Sequence, residues 1–279
     1  MLGPFRVRPA DVLRSLLIAG VAAFALFPFL VVAGTSLKTL GEVFQSPATL
    51  VPRLFAWQNY VDIFVRIPMA RHLVNSMIIA TGTTFLNIAV ATPAAYAMAR
   101  IRFRGRGVFS LGILVMQMFS PVIVLIPLFK VMKALHLLDT YSGLIMVNTA
   151  VTLPFSIWIL AGFFRHIPVE LEDAAMIDGL SRTGMLFRIA LPLTGPGLAT
   201  TAIFAFVTAW NEFIFALVLV SRREMQPITM ALYAWEKNNV VEWNLLMATA
   251  VVATVPTVLL FLLVRKRLTT GLMSGAVKS

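Results

Sequence analysis

Four of the chain's twelve acidic residues, Glu170, Glu172, Asp173 and Asp178, crowd into the segment 168–196 of a sequence that is otherwise basic and apolar. Their spacing suits docking rather than bond-making. Pro168 fits a first helical turn, where its missing N–H is no loss, and Glu170, Glu172 and Asp173 then lie against the positive end of the helix dipole. Gly179 supplies a left-handed stop. Leu171, Ala174, Ala175 and Asp178 follow one another at i, i+3, i+4 and i+7, so one stripe is apolar, very small in the middle and closed by a carboxylate. Small side chains admit close approach of another surface. Ser181 opens a second helical pattern with Met185, Leu186 and Ile189 on one side, ended by Leu191-Pro192. Capping a helix needs only one or two acids and leaves the alanine pair, the Asp-Gly stop and the Leu-Pro ending unexplained together. A short helix seated in a partner's groove transmits rigid-body motion if its own link is stiff, and Pro192 and Pro196 would stiffen it.

A second polar group stands at Trp210, Asn211 and Glu212. Glu212 is the only acid inside any expected membrane span, and ionisable groups at that depth are expected to face a bundle interior or a wet cavity. It could line a translocation path, with Trp210 as a stacking face for sugar. The other reading is a polar packing cluster that touches no substrate. Conventional catalysis finds little support elsewhere. There is no cysteine; His72, His136 and His166 fall in separate segments; and no Gly-Lys pair exists for a phosphate loop. Nucleotide chemistry, if it drives this chain, belongs to another one.

The elements that must position these groups are membrane helices. Of the 279 residues 59% are hydrophobic and 13% charged, and the mean hydropathy is +0.88, outside the range of an ordinary soluble domain. The net charge of +11 gathers at the ends of apolar runs, which points to anionic lipid rather than nucleic acid. Ser15 to Leu37 carry no charge for 23 positions, about 35 Å of helix against a hydrocarbon core of roughly 30 Å. That length favours a retained span over a cleaved signal peptide. Further spans are expected at 73–99, 107–129, 141–164, 198–220 and 244–264, after a first at 15–37. A loop from Lys38 to His72, with Trp57 and Tyr60, would hug the interface. The second span, rich in Ala, Gly and Thr, suits close helix packing. The prolines inside the spans need no gating role. The whole chain, 1–279, is expected to form a single all-α permease-like domain, with a polar tail at 265–279.

Orientation follows from the basic residues. The N-terminus, the turn from Arg100 to Arg106, the acidic elbow and the C-terminus together hold 14 Lys or Arg in 69 residues; the opposite loops hold 9 in 69. Basic residues mark the cytoplasmic side, so the elbow and both termini are expected there.

The run Asp173-Ala174-Ala175, Asp178-Gly179 and then Ile189, Leu191 and Pro192 resembles the EAA loop of ABC importer membrane subunits. More narrowly, Trp210-Asn211-Glu212-Phe213 and the terminal run from Gly271 to Lys278 resemble the MalG-like permeases of carbohydrate importers, over nearly the whole length. Asp173 stands where the family usually has glutamate, with Glu172 just ahead. The resemblance implies a MetI-like fold of six transmembrane helices, with a cytoplasmic coupling (EAA) helix between the fourth and fifth. It implies a prokaryotic inner-membrane location, and as partners a second, MalF-like permease, two ABC ATPase subunits and an extracytoplasmic substrate-binding protein. ATP and Mg would bind on the ATPase subunits, with no cofactor, metal or catalytic residue in this chain. Leu171, Glu172, Asp173, Ala174, Ala175, Asp178, Gly179, Ile189, Leu191 and Pro192 would serve ATPase coupling, and Ser274, Gly275 and Ala276 a second, tail contact to the ATPase. The implied cargo is a di- or oligosaccharide, with glycerol 3-phosphate or a polyol as the alternative; no Lys or Arg inside a span argues for phosphate. From another class, an ion-coupled carrier using Glu212 remains a rival. Such carriers usually show internal repeats and several intramembrane polar groups, and neither is visible.

Overall fold

The computed structural model describes residues 9–47, 49–237 and 240–276. The element order is α1 (Pro9–Ser36), α2 (Leu40–Val43), α3 (Gln58–Arg66), α4 (Met69–Arg100), α5 (Arg106–Met116), α6 (Pro121–Ala134), α7 (Tyr141–Arg165), α8 (Val169–Ile177) and α9 (Arg182–Met185). A π-helical turn (Leu186–Ala190) then leads into α10 (Leu191–Leu193), α11 (Gly195–Trp210), α12 (Ile214–Leu219), α13 (Ile228–Ala231) and α14 (Trp243–Ala276). Among the described residues the only sheet is a two-residue antiparallel pair, β1 (Glu236–Lys237) with β2 (Val240–Val241).

Four helical stretches are long and apolar enough to cross a membrane: Val12–Ser36, Met69–Arg100, Tyr141–Arg165 and Trp243–Val264. A fifth candidate is the bent pair Arg182–Leu193 and Gly195–Trp210, whose arms meet at 82°. The span expected at 107–129 is divided between α5 and α6. Pro121 is the cause: it opens α6 at the first turn, and Ser120 before it is extended, with φ −64° and ψ 133°. The span expected at 198–220 is interrupted likewise, α11 ending at Trp210 and α12 starting at Ile214.

The chain forms two compact units, residues 1–67 with 232–252 and residues 68–231 with 253–279. In the first, the stretch read from sequence as a loop after Lys38 is ordered by buried polar anchors. Asn59 donates to the carbonyls of Ser36 (2.9 Å) and Lys38 (2.8 Å) and accepts from Asn244 (3.0 Å). Glu42 accepts from the Arg53 N–H at 2.8 Å. Arg66 bridges Asp62 (3.1 Å) and Glu242 (3.0 Å). Phe55 and Trp57, stacked at 6.1 Å, stay exposed.

In the second unit α4 and α7 pack along their lengths in the same direction. Gly82 meets Ile145, Asn87 donates to Thr152 Oγ1 at 2.8 Å, and Tyr96 sits edge-on to Phe164 at 5.6 Å. Small residues make this possible: a Cβ on Gly82 would lie 2.6 Å from Ile145 Cδ1, and Ala91 and Ala95 are fully buried. Parallel helices bring their C-terminal ends together. The arginine turn after α4 and the acidic α8 after α7 therefore meet at one end of this unit, in a shared cluster of Tyr96, Phe164, Ala175, Met185 and Leu186.

Candidate functional site

Helix α8 starts after Pro168, which is extended at ψ 135°, carries Glu170 and Glu172 in its first turn, and closes at Asp178. Gly179 follows with φ +84°, in the left-handed region, and its N–H donates to the Met176 carbonyl at 3.1 Å. An αL residue at this position ends a helix at low cost only when it is glycine.

The expected docking stripe divides on folding. Leu171, Asp173, Ala174 and Asp178 are exposed, joined by Ile177, which is 85% exposed. Ala175 and Glu172, one turn apart, face the chain's own interior instead. Ala175 joins the apolar cluster of Met185 and Leu186. Glu172 pairs with Arg100 at 2.6 Å. Leu171, Ala174 and Asp178 lie on the outward face of the helix, and Glu172 and Ala175 mark the inward one. Sequence spacing alone assigned Ala175 to the outward stripe; only the neighbouring elements show that it is the contact point with α9.

The second arm of the elbow begins where Ser181 caps it, its hydroxyl accepting from the Gly184 N–H at 3.1 Å. It does not end at Leu191-Pro192. The Leu191 N–H reaches back to the Leu186 carbonyl, one residue further than in an α-helix, and the widened turn relieves the clash that Pro192 would impose on a regular one. The helix continues to Leu193 and turns at Thr194, whose hydroxyl donates to the Ala190 carbonyl at 3.0 Å. Ile189 packs against the shared cluster, while Leu191 is half-buried and Pro192 exposed. Gly195 and Pro196 then open α11.

Glu212 occupies the break between α11 and α12 as a cap. Oε1 accepts from the Phe215 N–H at 2.6 Å and Oε2 from the Ala216 N–H at 3.0 Å. Its own carbonyl accepts from Thr229 Oγ1 at 2.8 Å. A helix restarting in an apolar region exposes orphan N–H groups that lipid cannot satisfy, and both carboxylate oxygens answer that need. Trp210 is 3% exposed. Its Nε1 donates to the Ala253 carbonyl at 3.1 Å and its ring stacks on Phe206 at 5.8 Å, leaving no open face for a sugar. Asn211 is exposed and donates to the Val207 carbonyl at 2.9 Å. Within this chain Trp210 and Glu212 thus make packing and capping contacts. Glu212→Ala should therefore lower stability by about 2 kcal/mol, as for loss of a strong helix cap. Glu212→Gln, which keeps one acceptor, should cost less and leave uptake intact; thermal inactivation of the purified complex and uptake by membrane vesicles measure the two.

The tail residues Ser274, Gly275 and Ala276 lie at the end of α14, and 277–279 lie outside the described residues. The arginine turn is the feature whose structural part sequence reasoning missed. Arg100, Arg102, Arg104 and Arg106 read only as an orientation signal, yet Arg100 turns inward to α8.

Comparison with known proteins agrees with this architecture. Residues 88–273 match the family model described as binding-protein-dependent transport system inner membrane component. The trehalose/maltose transport system permease protein MalG of Thermococcus litoralis is 36% identical over 95% of this chain and 97% of its own length. The sulfoquinovosyl glycerol transport system permease protein SmoH of Agrobacterium fabrum is 36% identical over 91% of this chain and 89% of its own. A chain of a bacterial ABC transporter involved in import of the acidic polysaccharide alginate superposes with a TM-score of 0.79 over 95% of this chain and 99% of that one, at 23% identity. The chain belongs to the family of binding-protein-dependent transport system inner membrane components, the permease subunits of ABC transporters.

Proposed function

We propose that this chain is one of two permease subunits lining the pore of an ATP-driven importer of sugars, and that α8 couples it to an ATPase. The observation that carries the reading is the outward face of α8: exposed Leu171, Asp173, Ala174, Ile177 and Asp178, stopped by a left-handed Gly179 and continued at once into a bent helical arm. Closure of two ATPase subunits on ATP would move a helix seated in one of them, and the arm 182–193 would pass that motion into α11. The membrane part would answer by rocking between inward- and outward-open states. Broken spans α5/α6 and α11/α12 complete a set of six, with both termini, α8 and the arginine turn in the cytoplasm. A MalF-like permease and an extracytoplasmic binding protein complete the assembly, and the latter selects the cargo together with the permeases. The names of the relatives support a di- or oligosaccharide.

The test is uptake of radiolabelled trehalose and maltose, and of alginate oligosaccharide, by vesicles that contain this chain and its neighbours. Uptake of at least one should persist with an uncoupler and stop when ATP is removed. Uptake abolished by the uncoupler while ATP is plentiful would transfer the energy source to an ion gradient and end the proposal.

A further inference from the structure

The contact between α8 and α4 is not the apolar packing that would suffice to hold a surface helix in place. Glu172 is buried, its side chain 9% exposed, and Oε1 lies 2.6 Å from Nε of Arg100, whose side chain is 13% exposed. The same guanidinium donates from Nη2 to the carbonyl of Ile167, in the link between α7 and α8. One turn earlier on α4, the Tyr96 hydroxyl donates to Oε2 of Glu172 at 3.5 Å. Tyr96 is in turn held edge-on by Phe164 of α7. Two side chains of α4 thus grip α8 and the link leading into it, at the rim of an otherwise apolar cluster. The remaining attachment of α8, through Ala175 against the cluster of Met185 and Leu186, is non-directional.

An ion pair drawn out of water is a poor source of net stability beside an apolar pair of similar volume, because desolvation offsets much of the attraction. It does fix geometry. A guanidinium that pairs with a carboxylate of the helix while its Nη2 donates to a carbonyl of the adjoining link ties that helix at two points. Apolar contacts alone would let α8 slide or roll under load.

We infer that Arg100 and Glu172 are positioning residues that rivet α8 to the end of α4, so that the two helices move as one body during transport. The inference rests on the reading of α8 as the helix that docks to the ATPase. It assigns a second route for the motion: besides the arm 182–193 leading to α11, α8 drives α4 directly, and α4 carries α7 through their shared interface. Glu172 is then not part of the docking face. It is what keeps that face aimed.

The experiment uses this cysteine-free chain with spin labels at Val90→Cys on α4 and Met176→Cys on α8, an exposed position outside the docking face, in the complete complex reconstituted in lipid. The distance distribution is measured without nucleotide and with ATP plus vanadate. The unaltered pair should give one narrow distribution that is the same in both states. Glu172→Ala and Arg100→Ala should each broaden it, make it nucleotide-dependent and lower ATP-driven uptake about tenfold or more, since each leaves a buried charge unpaired. The double alanine variant should be no worse than either single one, as for residues acting as a unit. Arg100→Lys, which keeps the charge and loses the fork, should fall between. A distribution that stays narrow in Glu172→Ala, with full uptake, would overturn the inference. So would loss of the inserted chain in Arg100→Lys and Arg100→Ala alike, because the pair would then serve insertion rather than positioning. If Ala174→Cys in the unaltered chain meets no ATPase subunit, the proposed function fails on its own, while the spin-label widths still report whether the rivet exists.

Discussion

Replacing Gly179 by Val should abolish transport while leaving the chain in the membrane. The φ of +84° at this position places a β-branched residue in a region that costs about 1–3 kcal/mol of backbone strain. Space is not the obstacle, since a Cβ there would meet nothing within 4 Å. The strain must be relieved by unwinding the end of α8 or by shifting Asp178 and Leu180, and either change tilts the exposed face of Leu171, Ala174 and Ile177. The added isopropyl group also thickens the surface proposed to enter a partner's groove. Uptake and substrate-stimulated ATP hydrolysis should fall together, and immunoblotting of membranes should show a normal amount of chain. Gly179→Ala, with a smaller side chain, should lose only part of the activity. Unchanged transport in Gly179→Val would remove the elbow from the mechanism.

Gly143→Ala should have the opposite signature, loss of the chain itself. A Cβ at Gly143 would stand 2.2 Å from the backbone oxygen of Leu137. That oxygen cannot retreat easily. It accepts from the Thr140 hydroxyl at 2.7 Å, and the same hydroxyl caps α7 by accepting from the Gly143 N–H at 3.1 Å. The turn already holds two non-glycine residues at positive φ, His136 and Asp139, both at 55°. Asp139 is clamped in turn, Oδ1 accepting from the N–H groups of Ser221 (2.6 Å) and Arg222 (2.8 Å). With the Leu137 carbonyl against it and the capping Thr140 hydroxyl 3.2 Å away, the extra methyl must be absorbed by breaking the cap or moving α7, at about 3 kcal/mol or more. The amount of folded permease recovered from membranes should fall sharply, and activity per recovered molecule should change little. Normal yield would mean that the turn is looser than these contacts describe.

Much of the fold was legible in the residues because it depends on local chemistry. Uncharged runs fixed α1, α4, α7 and α14 as the apolar helices. Pro168, the acids after it and Gly179 marked both ends of α8. The small residues of α4 announced a close helix contact and found it in α7. The misses share a cause, which is that hydropathy averages over backbone breaks. The segment 107–129 is uniformly apolar, so Pro121 read as an internal proline rather than as the start of α6. The segment 198–220 hid its break because the residue that makes the break tolerable, Glu212, first suggests a ligand site. The π-helical turn before Pro192 has no sequence signature beyond the proline it accommodates. The inward turn of Glu172 depends on Arg100, which is distant in sequence and brought close by the parallel packing of α4 and α7, and that of Ala175 on Met185, returned to it across the turn at Gly179.

The polar anchors of the segment 38–67 were hidden for a different reason. Asn59, Glu42 and Asn244 are ordinary loop residues by type, and only folding shows that Asn59 satisfies two carbonyls and one amide at once. A buried network of that kind is costly when partly broken.

The central claim is that α8 presents its outward face to an ATPase in the cytoplasm, and one measurement addresses it directly. A crosslinker placed at Ala174→Cys in intact membranes, with every captured protein identified by mass spectrometry, samples the middle of that face. The account predicts capture of a nucleotide-binding subunit, and labelling of the cysteine by a membrane-impermeant reagent only from the cytoplasmic side. Labelling from the outer side, or capture of no nucleotide-binding partner, would contradict the topology and the coupling role together.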